Sequence, residues 1–431
     1  MVIWLFILVQ MNNKQKLIRI TTVPISLDKL LEGQLAFMKS TYEVLAVSSG
    51  GEILEQVEIK EDIRVIPVEM SRKITPFKDL KTVWKLYLLF KKEQPFIVHT
   101  HTPKAGIVGM LAARLAGVKN RLHTVAGMPL LETVGIKRKV LNFVERLTYA
   151  CATKVYPNSF GLKEIILKNR FVKPSKVKVI GNGSSNGINT TYFNPDIFSN
   201  NQKANLRQEL KIKESDFVFI FVGRLVGDKG VNELVSAFIK LNQFFSREGL
   251  EVCKNPKTQP SKENKNKEYL YNHKTERPHD CTTVRLLLVG PLETNLDPLH
   301  PSTLHEIKNN KNIISVGWQQ DVRPYFTISN CLVLPSYREG FPNVLMQAGA
   351  MGLPSIVTNI NGCNEIIEDN KNGWIIPVKN EEAILKAMRN CLTDEKQFNT
   401  IKENTRQLIV DGFEQKKVWE DILSAYKALE K

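Results

Sequence analysis

Residues 331–335 (C-L-V-L-P) form a continuous apolar run, the pattern of a short strand buried on both faces. The residues immediately after it limit the fold to few classes. The stretch 336–351, S-Y-R-E-G-F-P-N-V-L-M-Q-A-G-A-M, turns at Glu339-Gly340 and takes up helical spacing from Pro342. Proline suits a first helical position, because its missing N–H would have no partner there. The helix start then presents the free N–H groups of Asn343 and Val344, together with the positive end of the helix dipole. That is an anion site suited to phosphate. Glu339 stands beside it, and a carboxylate repels such a ligand unless cations offset its charge. Gln347 lies further along the same helix.

The cations are found at 221–230, F-V-G-R-L-V-G-D-K-G. Another apolar strand, 217–222, ends in Gly223-Arg224, and Lys229 follows at the start of a helical pattern over 231–241. Both stretches come just after the carboxyl end of a strand, where open α/β sheets bind ligands. Arg224, Lys229 and the helix start at Asn343 together make a cradle for a diphosphate.

The same alternation runs through the chain. Strands are expected at 17–23, 42–47, 63–68, 96–100, 154–157, 176–180, 284–289, 313–316 and 354–358, and a strand with its following loop at 121–127. Helical patterns occupy 77–92, 129–149 and 413–430, and 24–33 reads as a turn into a helix with Ser26 as N-cap. Strands alternating with helices predict doubly wound parallel sheets, and 431 residues predict two domains. The run G-N-G-S-S-N-G-I at 181–188 reads as a flexible hinge between them. Residues 246–283 are polar, Lys-rich and poor in apolar residues, the composition of a disordered insertion.

As a set, G-R-x4-K-G, R-E-G-F-P-N-V, G-W-Q-x-D-V-R-P-Y and G-N-G-S-S-N-G-I resemble the retaining glycosyltransferases of family 4. The resemblance is greatest to the bacterial branch that builds capsule, exopolysaccharide and O-antigen units. It runs from about Leu17 to the C-terminus, apart from the insertion. It implies the GT-B fold: two Rossmann-like doubly wound domains facing across a cleft, with a C-terminal helix crossing back to the first. The corresponding division is an N-terminal extension (1–16), an acceptor-binding domain (17–187), a nucleotide-sugar domain (188–412) and the crossing helix (413–431). The implied reaction moves a hexosyl or N-acetylhexosaminyl group from a nucleotide-sugar, expected to be a UDP-sugar, with retention of configuration. The expected acceptor is polyprenyl-pyrophosphate-linked or a glycan.

The resemblance also assigns residues. Glu339, Arg224, Lys229 and His123 take the catalytic positions, His123 facing the transferred sugar. Gly223, Gly317, Trp318, Gln319, Gly340, Phe341, Asn343, Val344, Gln347, Asn186 and Gly187 border the donor, with plain packing as the other reading of Trp318. Ser26, Lys29 and Lys104 fall on the acceptor side. Relatives usually carry Glu where this chain has Gln347, a residue that keeps one carbonyl acceptor and loses the charge. No cofactor is implied, and no Asp-x-Asp motif marks a metal site. A sugar-nucleotide epimerase of the same fold, or an inactive relative acting as a binding partner, is the alternative.

Charge adds a location. Residues 1–190 hold 29 Lys and Arg against 14 Asp and Glu, whereas the remainder holds 31 against 30. A basic first half is drawn to an anionic membrane or a pyrophosphate-linked acceptor. No nucleic-acid motif accompanies the charge, so nucleic acid is not an expected partner. The apolar run at 2–9 is too short to span a bilayer and lacks the flanks of a signal peptide, so Met11 is an alternative start and a shallow anchor an alternative role. The six cysteines have neither C-x-x-C nor metal-ligand spacing, as in a reducing compartment. The expected location is cytoplasmic, peripheral on the inner face of the cell membrane.

Overall fold

The computed structural model describes residues 14–72, 75–128, 133–254, 283–294 and 297–430. Residues up to Gly187, together with those from Phe413 onward, form one compact unit, and Ile188–Gly412 form a second. The apolar run at 2–9 and the core of the expected insertion, 255–282, lie outside the described residues.

Each unit is built on a six-stranded, wholly parallel sheet. The first has the order β3-β2-β1-β4-β5-β6, from β1 (Lys16–Ile20), β2 (Glu43–Ser48), β3 (Arg64–Pro67), β4 (Ile97–Thr100), β5 (Asn120–Val125) and β6 (Lys154–Pro157). The second has the order β12-β11-β10-β7-β8-β9, from β7 (Phe217–Val222), β8 (Val284–Val289), β9 (Ile313–Gly317), β10 (Cys331–Leu334), β11 (Ser355–Thr358) and β12 (Gly373–Ile376). Counted within its own unit, each order is 3-2-1-4-5-6, the doubly wound Rossmann arrangement. The chain reverses direction across the sheet between β1 and β4, and again between β7 and β10. These two points are where ligand crevices form in such sheets. β10 is buried along its whole length and β7 is buried except at its two ends, which is why they read as unbroken apolar runs.

Four readings need correction. Pro342 is the N-cap of Asn343–Ala350, not its first residue. Ser26 lies inside the helix Pro24–Leu30, whose N-cap position is held by Val23 without a side-chain cap. Residues 176–180 add no strand; Val177 makes only an isolated bridge to Val155, and Pro174–Lys176 is a single 3-10 turn. The helix expected over 231–241 continues to Lys254, past the start of the expected insertion.

In the first unit the helix Gln415–Lys427 closes one face of the sheet, burying Val418, Ile422 and Tyr426 against Leu17, Val44 and Leu122. Beneath it lies a buried polar network. The fully buried Arg19 donates Nε to His101 Nε2 at 2.9 Å and Nη1 to Tyr426 Oη at 2.8 Å, and its Nη2 donates to Gln34 Oε1. Gln34 Nε2 donates to Asn186 Oδ1 at 3.0 Å, which also accepts Trp419 Nε1 at 2.6 Å. The stretch read as a flexible hinge is therefore pinned at Asn186. Its glycines serve backbone geometry: Gly187 has φ +66°, and a Cβ there would lie 2.6 Å from the Phe413 carbonyl.

Candidate active site

The second unit brings Arg224, Lys229 and Glu339 to its reversal point, because β7 and β10 are neighbours in the sheet. Lys229 Nζ lies 2.5 Å from Glu339 Oε1, and both side chains are mostly buried, at 18% and 14% exposure. The loops carrying them interlock. Gly230 has φ +69°, and a Cβ there would stand 2.2 Å from the Pro335 carbonyl oxygen, so only glycine lets the first loop close on the end of β10. Tyr337 N donates to Asp228 O at 2.9 Å, and Arg338 Nη2 lies 2.6 Å from Asp228 Oδ2.

A third loop, after β11, holds Glu339 from behind. Asn361 Nδ2 donates to the Glu339 carbonyl at 2.7 Å, and a Cβ on Gly362 would lie 2.4 Å from the Gly340 carbonyl oxygen. A fourth, after β8, braces the first. Asp297 Oδ2 accepts Asp228 N at 2.5 Å, its carbonyl accepts Gly227 N at 3.1 Å, and Glu293 pairs with Arg224 at 2.9 Å. Gly223, Gly290 and Gly317 line up at the carboxyl ends of β7, β8 and β9, with Gly290 N donating to Gly317 O at 2.8 Å.

Charge is balanced tightly here. Burial pushes the Asp228 carboxyl above its ordinary range, while Lys229 and Arg224 pull it back. Burial likewise raises the Cys363 thiol well above the usual value, and the Glu339 charge adds to that. Lys229 supplies the cation that the position of Glu339 demands. On the helix Asn343–Ala350, Asn343 is exposed, while Val344 and Gln347 are half-buried on the same side. Among the described residues no side chain or backbone group hydrogen-bonds the Gln347 amide, which leaves it available to a ligand. Trp318 is 68% exposed, so it is not a packing residue, and Gln319 Nε2 donates to Val316 O at 2.8 Å. Phe341 is buried beside the helix start.

Other expected site residues stand in the first unit. His123 is 3% exposed, with Nδ1 2.7 Å from Thr100 Oγ1 and its ring against the Cα of Gly106, where a Cβ would lie 2.5 Å from Cε1. Burial lowers its pKa to about 4, so the ring is neutral at physiological pH. Lys104 is paired with Asp79 at 2.5 Å and is 11% exposed, so its charge is spent within the fold. Lys29 is exposed and pairs with Asp28 at 2.9 Å, and Ser26 is a half-buried helix residue. Sequence reasoning missed Asp228, Glu293, Asp297 and Asn361. Asp228 was open to notice inside G-R-x4-K-G; the other three are lone polar residues in loops, with no spacing to mark them.

Comparison with known proteins decides the family. The profile of the glycosyl transferase 4-like domain matches residues 36–183, and that of glycosyl transferases group 1 matches residues 258–394. The capsular polysaccharide biosynthesis glycosyltransferase CapM of Staphylococcus aureus is 33% identical over 415 residues, covering 96% of this chain and 97% of that protein. The chain belongs to the group 1 glycosyltransferases.

Within this family the chain falls in the bacterial branch of family 4 that makes capsule and lipopolysaccharide. The UDP-Gal:alpha-D-GlcNAc-diphosphoundecaprenol alpha-1,3-galactosyltransferase of Escherichia coli is 32% identical over 349 residues, 80% of this chain and 78% of that one. A glycosyltransferase from Rickettsia africae has the same fold, with a TM-score of 0.74 at 20% identity, covering 97% of this chain and 99% of that one. The two parallel sheets are thus the two Rossmann-like domains of a GT-B glycosyltransferase.

Proposed function

We propose that this glycosyltransferase moves a sugar from a nucleotide-sugar, in the first instance a UDP-sugar, to a polyprenyl-diphosphate-linked glycan, with retention of configuration. The observation that carries this reading is the Lys229–Glu339 pair, held at 2.5 Å beside the start of the helix Asn343–Ala350. Departure of the nucleotide puts negative charge on its terminal phosphate. Lys229, Arg224 and the N–H groups of Asn343 and Val344 are preorganised donors for that charge, and such donors lower the barrier because they need no reorganisation during the reaction. Taking up the phosphate draws Lys229 partly away from Glu339. The carboxylate is then left to face the sugar, where positive character develops. Gln347, one turn past Asn343, accepts a ribose hydroxyl through its carbonyl. Trp318 and Gln319, at the end of β9, border the base.

In this scheme protein cations and helix N–H groups do the work, so transfer is metal-independent. The first unit takes the acceptor, and the enzyme works as a peripheral protein at the cytoplasmic face of the membrane. The E. coli relative, named for a UDP-galactose donor and a diphosphoundecaprenol acceptor, supports both substrate classes.

Incubation with a panel of UDP- and GDP-sugars and a diphosphoundecaprenol-linked monosaccharide tests the reading. The expected result is acceptor-dependent nucleotide release, unchanged by EDTA, giving a product whose anomeric proton coupling matches the donor's. Release of nucleotide and free sugar without acceptor points to an epimerase instead, and inversion in the product sinks the retaining assignment.

A further inference from the structure

The buried network beneath the helix Gln415–Lys427 is built around a cation without an anion. Arg19 is fully buried, and among the described residues no carboxylate pairs with it. Glu61, whose charge reaches it, is spent on the N–H groups of Gly33 and Ala36, at 2.6 and 2.9 Å. The acceptors of the guanidinium are His101, Tyr426 and Gln34, all neutral. A buried charge in such company is costly unless something of opposite sign comes near it.

Arginine only donates, so it dictates the direction of every bond it makes. His101 accepts from it at Nε2, and burial keeps the ring neutral, so the His101 proton is on Nδ1. That Nδ1 is buried and has no partner among the described residues. Tyr426 also accepts from Arg19, and its hydroxyl, pushed up to about 12 by burial, keeps its hydrogen. Among the described residues the acceptor in reach of that hydrogen is His99 Nδ1, at 2.5 Å. The His99 proton is therefore on Nε2, which donates to Thr124 Oγ1 at 2.8 Å. Thr124 is thus used as an acceptor, and its own hydrogen is left over.

The two leftover donors stand side by side. Thr100 pairs with His123 across β4 and β5, so the next register places His101 beside Thr124, on strands about 4.8 Å apart. Side chains alternate along a strand, so both continue the face of the sheet that carries Ile97 and Leu122. They lie at its carboxyl end, and β4 borders the reversal point of the first unit. Two adjacent donors with a buried cation behind them suit a phosphate oxygen.

We propose that Arg19 positions His101 Nδ1–H and the Thr124 hydroxyl to hold a phosphate oxygen of the acceptor's diphosphate. This rests on the proposed use of a diphosphate-linked acceptor. Arg19 touches no ligand itself; it sets which hydrogens face the ligand, and its charge is what the bound anion offsets. In the same scheme the donor's diphosphate is taken by Arg224 and Lys229, so the acceptor's diphosphate is the anion left for the first unit.

Thr124→Val removes one of the two donors, and Thr124→Ser keeps it; circular dichroism verifies that both fold. Each is assayed with a short-chain prenyl-diphosphate-linked monosaccharide and with the octyl glycoside of the same sugar, which lacks the diphosphate. Thr124→Val is expected to raise KM for the diphosphate acceptor about tenfold or more, the effect of losing a charge-assisted hydrogen bond. KM for the donor and for the octyl glycoside should hold, and Thr124→Ser should restore the wild-type value. An equal rise for both acceptors, or no rise, overturns the proposal. Nitrogen-15 spectra of the histidine-labelled full chain, saturated with UDP to fill the second unit, give a readout that does not need turnover. His99 and His101 are expected to carry their protons on opposite nitrogens, and inorganic pyrophosphate should shift the His101 Nδ1 signal. A His101 protonated on Nε2, or a signal that pyrophosphate does not move, overturns the proposal. If wild type transfers sugar to neither acceptor, the transferase reading fails, and the pyrophosphate titration by itself decides the anion site.

Discussion

Lys229 and Glu339 neutralise each other before any donor binds, which explains how a carboxylate is tolerated beside a phosphate site. Removing the lysine does two kinds of damage: it takes away a stabiliser of the leaving phosphate and leaves a part-buried carboxylate facing it. Lys229→Ala should lower kcat by about 10²–10³, the scale for loss of one preorganised donor. Single-turnover measurements on folded protein check this, and a near-normal rate would remove Lys229 from the machinery. Gln347 gives a different expectation. A carboxylate at that place accepts stronger, charge-assisted hydrogen bonds from ribose. Gln347→Glu should lower donor KM about fivefold, equivalent to about 1 kcal/mol, at nearly constant kcat, because ribose contacts are equal in ground and transition states. Steady-state kinetics with one identified donor decides it; a rise in KM would show a pocket adapted to the amide.

At the scale of elements, the site is four loops locked together at the ends of β7, β8, β10 and β11. Asp297 is the brace, holding the backbone of both Gly227 and Asp228 and through them the turn that presents Lys229. Asp297→Ala should reduce kcat about tenfold, a loss of about 1.4 kcal/mol in transition-state stabilisation. The loop would be less well placed, but its cation would remain. Nucleotide binding by calorimetry should weaken less than kcat falls, and an unchanged kcat would show that the loop is held without the brace. The strands of this site were legible because buried parallel strands are continuous apolar runs. The loops were legible only where a motif named them: G-R-x4-K-G pointed to Lys229 and R-E-G-F-P-N-V to Glu339. Asp297 lies 69 residues from Asp228 along the chain, and only the pairing of β7 with β8 makes them neighbours.

For the whole molecule, buried histidines predict how stability responds to acid. His99, His101 and His123 all have pKa values held below the ordinary histidine value, chiefly by burial. The Arg19 guanidinium adds to this at His99 and, with His99 itself, at His101. His123 is faced by Thr100 and Tyr149, neither charged at neutral pH. A lowered folded-state pKa means that the unfolded chain binds more protons, so stability rises with pH. It is complete above the unfolded value near 6.5 and is lost as pH falls toward about 4. Urea unfolding of the first unit should show a midpoint that drops steeply between these limits. His123→Gln should flatten the slope by up to one proton, about 1.4 kcal/mol per pH unit. A flat profile in the wild type would contradict the burial of all three.

Residue order was enough to reveal the class of fold and the family, because periodicity and motif are local properties of the chain. It also marked the cations of the site. It could not reveal that the Gly-rich run at 181–188 is pinned, since a flexible composition is equally the composition of tight turns closed by distant partners. Nor could it reveal the outward stripe on Pro76–Glu93. The apolar residues there belong to two opposite sides of one helix, and only packing of Val83, Leu86 and Phe90 into the core shows that Phe77, Leu80 and Trp84 are left outside. Burial is a property of the folded surface, and it was the tertiary structure that decided which apolar residues serve the core and which stay outside it.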